Sequence, residues 1–169
     1  MATEKLRDFS AFYDATWART VACAYAVTGD LGAAEDLAQD AYTRAWPRWT
    51  RIREYDDPGA WVRRVATRQA ISRWRRMRTA VTHLRRERPP EPSPGPDETT
   101  VLVVRALQTL PEAQRRAVVL HHLAGLPVAE VAAMERCPVG TVKARLSRGR
   151  AALAVVLGDT SSDQESSHA

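Results

Sequence analysis

Residues 139–153 read VGTVKARLSRGRAAL, a stretch with Lys143, Arg145, Arg148 and Arg150 and no acidic side chain. At about 100° per residue, Val142, Leu146, Leu153 and Val156 fall on one side of a helix as an apolar stripe. The opposite side carries Gly140, Ala144, Ser147, Arg148 and Ala151, with Lys143 and Arg150 along one edge and Thr141 and Arg145 along the other. Small residues between cationic rims suit a helix that enters a groove walled by phosphate, although a solvated helix face would carry similar charge.

The residues upstream favour the groove. Residues 127–135, PVAEVAAME, predict a short helix with Val128, Val131, Ala132 and Met134 inward. RCPV then breaks the chain, because Pro138 cannot continue a helix yet fits the first turn of the next. Helix, tight turn and helix, with small Ala132 where they cross, form the helix-turn-helix pattern whose second helix reads the major groove. Before it, LPEAQRRAVVLHHLAGL starts a helix at Pro111 and Glu112, buries Ala117, Val118, Leu120 and Leu123, and stops at Gly125. A small DNA-binding domain is predicted over residues 101–157.

With 169 residues, 44% of them apolar, the chain fits one larger domain or two small ones. No run reaches the roughly 18 apolar residues of a membrane span, and MATEKLRDFS is no signal peptide, so a cytoplasmic protein is expected. Cys23 and Cys137 lack metal or redox spacing. His121 and His122 would point about 100° apart on a helix and share no metal. Neither a cofactor nor a metal is predicted.

Charge is arranged in blocks. Residues 1–58 have net charge −3 and residues 59–88 net +9, while residues 89–100 carry −3, residues 101–157 carry +5 and residues 158–169 carry −3. Two cationic surfaces between acidic stretches suggest one polyanion touched at two places. RERPPEPSPGPDETT holds five of the ten prolines and predicts an extended linker over 81–100. The tail GDTSSDQESSHA, 158–169, is short and polar and predicts disorder.

The N-terminal part predicts three further helices. FSAFYDATWARTVACAYAVTGD closes on Gly29, and LGAAEDLAQDAYTRAWPRW runs from near Asp30 to before Pro47, with Asp36, Gln39 and Asp40 on an acidic outer face. The next starts at Pro58 with Asp57 as its cap. It interleaves Trp61 and Trp74 with Arg63, Arg64, Arg68, Arg73, Arg75, Arg76 and Arg78. Arginines along a helix bind backbone phosphate, and an exposed indole stacks on an unpaired base for about 1–3 kcal/mol, which suits strand-separated DNA. The alternative for Trp61 is a core anchor, and Trp74 is open to both readings.

The series AEDLAQDAYTRAW, PGAWVRRVATRQAISRWRR, proline-rich linker, LPEAQRRAVVL and PVAEVAAMERCPVGTVKARLSRGRAAL resembles an extracytoplasmic-function sigma factor of the sigma-70 family, in particular its actinobacterial sigma-E-like branch. The resemblance implies an all-α chain of two small helical domains, sigma domain two (1–80) and sigma domain four (101–157), joined by the flexible linker. It implies a non-enzymatic transcription initiation factor that binds core RNA polymerase, directs it to promoter DNA and promotes opening. Asp36, Gln39 and Asp40 would dock on the clamp coiled coil of the largest subunit, and the flap of the second-largest subunit would be a further contact. Residues 50–57 and the start of the following helix would capture a flipped base of the minus-10 element. Trp61, Arg64, Arg68, Arg73, Trp74, Arg75 and Arg76 would serve that element and its non-template strand. Thr141, Lys143, Ala144, Arg145, Ser147 and Arg148 would serve the minus-35 element, with Arg145 on phosphate or in packing. An anti-sigma factor is an expected further partner.

The chain departs from the family pattern at Arg68, Gln69 and Ser72, and at Glu135 and Arg136, which stand where an apolar residue and glycine are usual. A left-handed Arg136 would cost about 1 kcal/mol. A stand-alone duplex-binding regulator would explain the helix-turn-helix but not the acidic face or the aromatic-cationic helix. A DNA-processing enzyme lacks its chemistry here: Asp56 and Asp57 are more simply a turn and a cap, and Ser147 has no positioned base.

Overall fold

The computed structural model describes residues 2–80 and 98–166, all of whose regular elements are helical. Helix α1 spans Ala2–Thr28 and ends where Gly29 takes φ +68°, its N–H bonded to the Tyr25 carbonyl at 2.7 Å. Asp30 then caps α2 (Leu31–Ala45) by accepting from the Ala33 N–H at 2.9 Å. Pro47 diverts the chain into a 3₁₀ turn, Trp46–Arg48, and the short α3, Trp49–Ile52. Helix α4, Pro58–Ala80, starts as its sequence predicts, with the Asp57 carboxylate accepting from Ala60 N–H at 2.9 Å. Burial pushes the Asp57 carboxyl up, but the Ala60 N–H and the Arg63 guanidinium outweigh it and leave it below the usual value.

Aromatic residues at helical spacing on α1 lock this half together. Phe9, Phe12, Tyr13 and Trp17 meet Tyr42 and Trp49, with ring centroids 5.3 Å apart for Phe9–Trp49 and 4.7 Å for Tyr13–Tyr42. Such pairs contribute about 0.5–1.5 kcal/mol each beyond area burial. The Tyr42 hydroxyl is shared with Thr16 and Thr20 at 2.8 and 3.1 Å, and the buried Trp49 indole N–H donates to Asp8 at 3.1 Å, so the polar groups of these two buried rings are satisfied.

The expected linker lies, up to residue 97, outside the described residues. Its last three residues are helical instead, because Glu98–Gln108 forms α5, whose Val104, Ala106 and Leu107 are buried. Helix α6, Glu112–Val118, widens into a π turn over Val119–Leu123 before Gly125 stops it at φ +70°. Helices α7, Val128–Glu135, and α8, Val139–Ser166, make the helix-turn-helix. The backbone of α8 continues through 158–166, where the sequence predicts a disordered tail; extending an existing helix avoids the unfavourable nucleation step.

The two halves are not separate beads. One apolar cluster joins Val21, Val27, Leu37 and Ile71 of the first to Leu107, Leu120, Val131 and Leu146 of the second.

Candidate nucleic-acid interface

On α8, the small-and-cationic face is where the sequence puts it. Lys143, Ser147 and Arg148 are exposed, and Thr141 and Ala144 lie half-buried beside them, while Val142 and Leu146 are buried. Arg145 departs from that face. Its guanidinium turns toward Glu135 at 3.5 Å and the Cys137 sulfur at 3.7 Å.

The turn that sets this helix contains two unusual residues. Arg136 sits in the left-handed region at φ 51°, ψ 47°, a strain of about 1 kcal/mol for a residue with a Cβ. Glu135 has a side chain only 2% exposed, held by Arg116 of α6 at 2.9 Å and by Arg145 of α8, with Arg75 of α4 at 4.0 Å. A buried carboxylate is tolerated only when opposing charges and hydrogen bonds replace water. Arg116 supplies both, donating through Nε and Nη2. The sequence signal for this was an acid at a normally apolar turn position.

The arginine helix is tied down in a way the sequence does not show. Arg64, Arg68 and Arg75, four and seven residues apart, share one face of α4, and that face looks at the second half. Arg64 donates to the Gly125 carbonyl at 3.0 Å, and buried Arg63 to the Leu123 carbonyl at 3.1 Å while pairing with Asp57 at 2.8 Å. Arg68 pairs with Glu130 of α7. Trp74 donates its indole N–H to Glu112 and lies under the Arg116 guanidinium, 3.8 Å from the ring centroid. Arg73 and Arg76 are exposed, the latter with its Nε on the Ser72 carbonyl. Trp61 packs half-buried against the aromatic cluster, the core-anchor alternative of its two readings.

On α2, Asp36, Gln39 and Asp40 are all exposed. Gln39 accepts from the Tyr13 hydroxyl at 3.3 Å, and Asp40 is held by Arg44 at 3.1 Å and by the Gln69 amide at 2.6 Å. Where the halves meet, Arg19, Cys23, Arg63, Thr100, Val103 and His122 line a cavity of about 350 Å³. Burial pushes the Cys23 thiol up to about 11 despite Arg63 and Arg19 nearby, and burial with His121 and Arg150 lowers His122. No group of three or more His, Cys, Asp or Glu side chains among the described residues is placed to hold a metal. Among the same residues no helix is long and apolar enough to cross a membrane.

Two family descriptions match the chain in order, "Sigma-70 region 2" over residues 15–81 and "Sigma-70, region 4" over residues 100–153. The probable RNA polymerase sigma-C factor of Mycobacterium bovis is 32% identical over 133 residues, 76% of this chain and 72% of the relative. The ECF RNA polymerase sigma-E factor of Escherichia coli K12 is 29% identical over 145 residues, 76% of this chain and 74% of that one. Among solved structures, the sigma factor RpoE in complex with the anti-sigma factor NepR, from Bartonella quintana, is similar with a TM-score of 0.56 and 26% identity, covering 90% of this chain and 98% of that one.

Proposed function

This chain belongs to the sigma-70 family of RNA polymerase sigma factors, as an extracytoplasmic-function member that directs transcription initiation, and from that premise we propose how its residues divide the work. Residues 1–80 act as the polymerase-docking and minus-10 module, and residues 101–157 as the minus-35 module. Asp36, Gln39 and Asp40 dock α2 on the clamp coiled coil of the largest polymerase subunit, where three exposed acceptors on one helix face meet a basic partner. The flap of the second-largest subunit takes the other half.

The arginines of α4 hold the non-template strand by phosphate, and Trp74 is the indole assigned to a base once it leaves Glu112 and Arg116. Trp61 serves as an anchor for the N-terminal half of α4. Lys143, Ala144, Ser147 and Arg148 face the minus-35 duplex, with Thr141 beside them; Arg145 positions α8 through Glu135 and leaves the base edges to its neighbours. What carries this division is the presence of two cation-rich helices in one chain, one in each matched region and in the family's order. One small helix-turn-helix binds duplex DNA weakly, and melting costs stacking, so two weak modules gain from being held together on polymerase.

The protein acts in the cytoplasm, beside the polymerase, and has no catalytic step of its own. The likeness to a sigma factor captured with an anti-sigma factor supports a protein partner of that kind, which would engage both halves.

Affinity for core RNA polymerase, measured without DNA and with a primary sigma factor as competitor, tests the reading. Tight and competitive binding is expected, weakened at least about tenfold by Asp40→Arg. Good duplex binding with no affinity for core enzyme would make the chain a stand-alone regulator.

A further inference from the structure

We propose that the cavity where the two halves meet is a binding site for a small organic monoanion, a carboxylate on an apolar body of about ten non-hydrogen atoms in all. The site lies apart from the residues assigned to polymerase docking and to the minus-35 duplex, and its failure would leave those assignments untouched.

The lining carries the inference. The walls come from α1, α4, α5 and the π turn, and no acidic side chain is among them. At about 350 Å³ the space falls at the low end of the range of about 300–1,000 Å³ found for small-molecule sites, which favour interfaces between domains. Its depth is graded. Arg19 and His122 are exposed and stand at the rim, whereas Cys23 and Val104 are buried, and Ala22, Val103 and Leu123 complete an apolar wall. An amphipathic molecule fits that order with its polar head at the rim and its apolar body inward.

Charge selects the head group. The Arg63 guanidinium is already compensated by Asp57 at 2.8 Å and donates to the Leu123 carbonyl at 3.1 Å. Burial keeps Cys23 a neutral thiol. Partial burial, with His121 and Arg150 nearby, disfavours protonation of His122 and leaves a neutral ring that can donate one N–H. Arg19 is then the uncompensated cation of the lining, since no ion pair or hydrogen bond holds it among the described residues. One free charge and one neutral donor match a monocarboxylate through charge-assisted hydrogen bonding, whereas a dianion such as phosphate would call for a second free cation. A ligand that touches α1 and α5 together binds only while these helices stay packed, and it stabilises that arrangement by mass action.

The test is a nuclear magnetic resonance titration of the full-length chain, isotope-labelled in its valine and leucine methyl groups, at fixed ionic strength. The probes are octanoate, which has both head and body, acetate, which has the head alone, and hexanol, which has the body alone. Octanoate is expected to shift the methyl signals of Val103, Val104 and Leu123 saturably, with a Kd of about 1 mM or tighter. Acetate and hexanol should each bind at least about fivefold more weakly. Arg19→Gln changes an exposed side chain, and Arg7→Gln, about three turns earlier on α1 and also exposed, is its charge-matched control. The Arg19 variant should lose about fivefold or more in octanoate affinity against that control while hexanol binding stays level. The proposal is overturned by the absence of a saturable shift up to about 10 mM octanoate, by shifts spread over methyl groups away from the cavity, or by equal octanoate affinity in the two arginine variants.

Discussion

At the scale of single residues, Glu135 and Arg136 show how one departure is balanced by its surroundings. An apolar side chain at position 135 would need no partner. The carboxylate needs three arginines from three helices, and two of them, Arg116 and Arg145, have few other anions within reach. Glu135→Leu therefore leaves cations facing a site with no counter-charge and is expected to lower stability by about 3 kcal/mol, in the range for breaking one partner of a buried pair. Glu135→Gln keeps an acceptor and should cost less. Chemical denaturation at neutral pH measures both. A leucine variant as stable as the parent would mean that Arg116 and Arg145 find other partners without strain. The two variants also test the orientation of α8, since Arg145 would be freed toward the DNA face.

At the scale of elements, punctuation was legible and continuation was not. Gly29, Asp30, Asp57, Pro58 and Gly125 stop and start helices as local chemistry dictates, because each acts within one turn of its own position. The exposed cationic face of α8 follows from periodicity in the same way. Helix α5 is not announced by the sequence although Val101, Val104 and Leu107 share a helical face, since the proline-rich stretch before it masks where its start lies. Helix α8 runs past the end that composition predicts, because polar residues weaken the case for a new helix but do not end an existing one. Packing between elements is less visible still. Gly149 reads as a mild helix weakener, yet α6 crosses α8 there, and an added Cβ would lie 2.7 Å from Val118 Cγ2. Helix propensity favours alanine by up to about 1 kcal/mol, while forcing apart a packed crossing costs about 1–3 kcal/mol. Val118 is buried and branched, so the steric effect should win. Gly149→Ala is expected to lower the midpoint of thermal unfolding, whereas Gly140→Ala, which meets nothing within 4 Å, should leave it level or slightly raised.

At the scale of the whole molecule, the junction between the halves could not be read from the sequence, because its contacts join residues 38 to 83 positions apart across a linker. The two thiols report on it. Cys23 is buried on α1 and lines the cavity together with Thr100, Val103 and Val104 of α5, so part of its cover comes from the other half. Cys137 lies in the turn of the helix-turn-helix, half-buried and away from that cavity. Alkylation requires the thiolate, and burial holds the Cys23 thiol near 11. In low salt at about pH 8, one thiol should therefore react quickly with iodoacetamide and the other slowly, with Cys137 the fast one by peptide mapping. Raising sodium chloride from about 0.05 M to about 0.5 M shortens the screening length from about 14 Å to about 4 Å and weakens the exposed ion pairs at the junction. If those pairs help hold the halves together, Cys23 should then react several-fold faster while Cys137 keeps its rate. An unchanged ratio would mean that neighbours within its own half cover Cys23, and that the shared apolar cluster, which salt does not weaken, keeps the two halves closed.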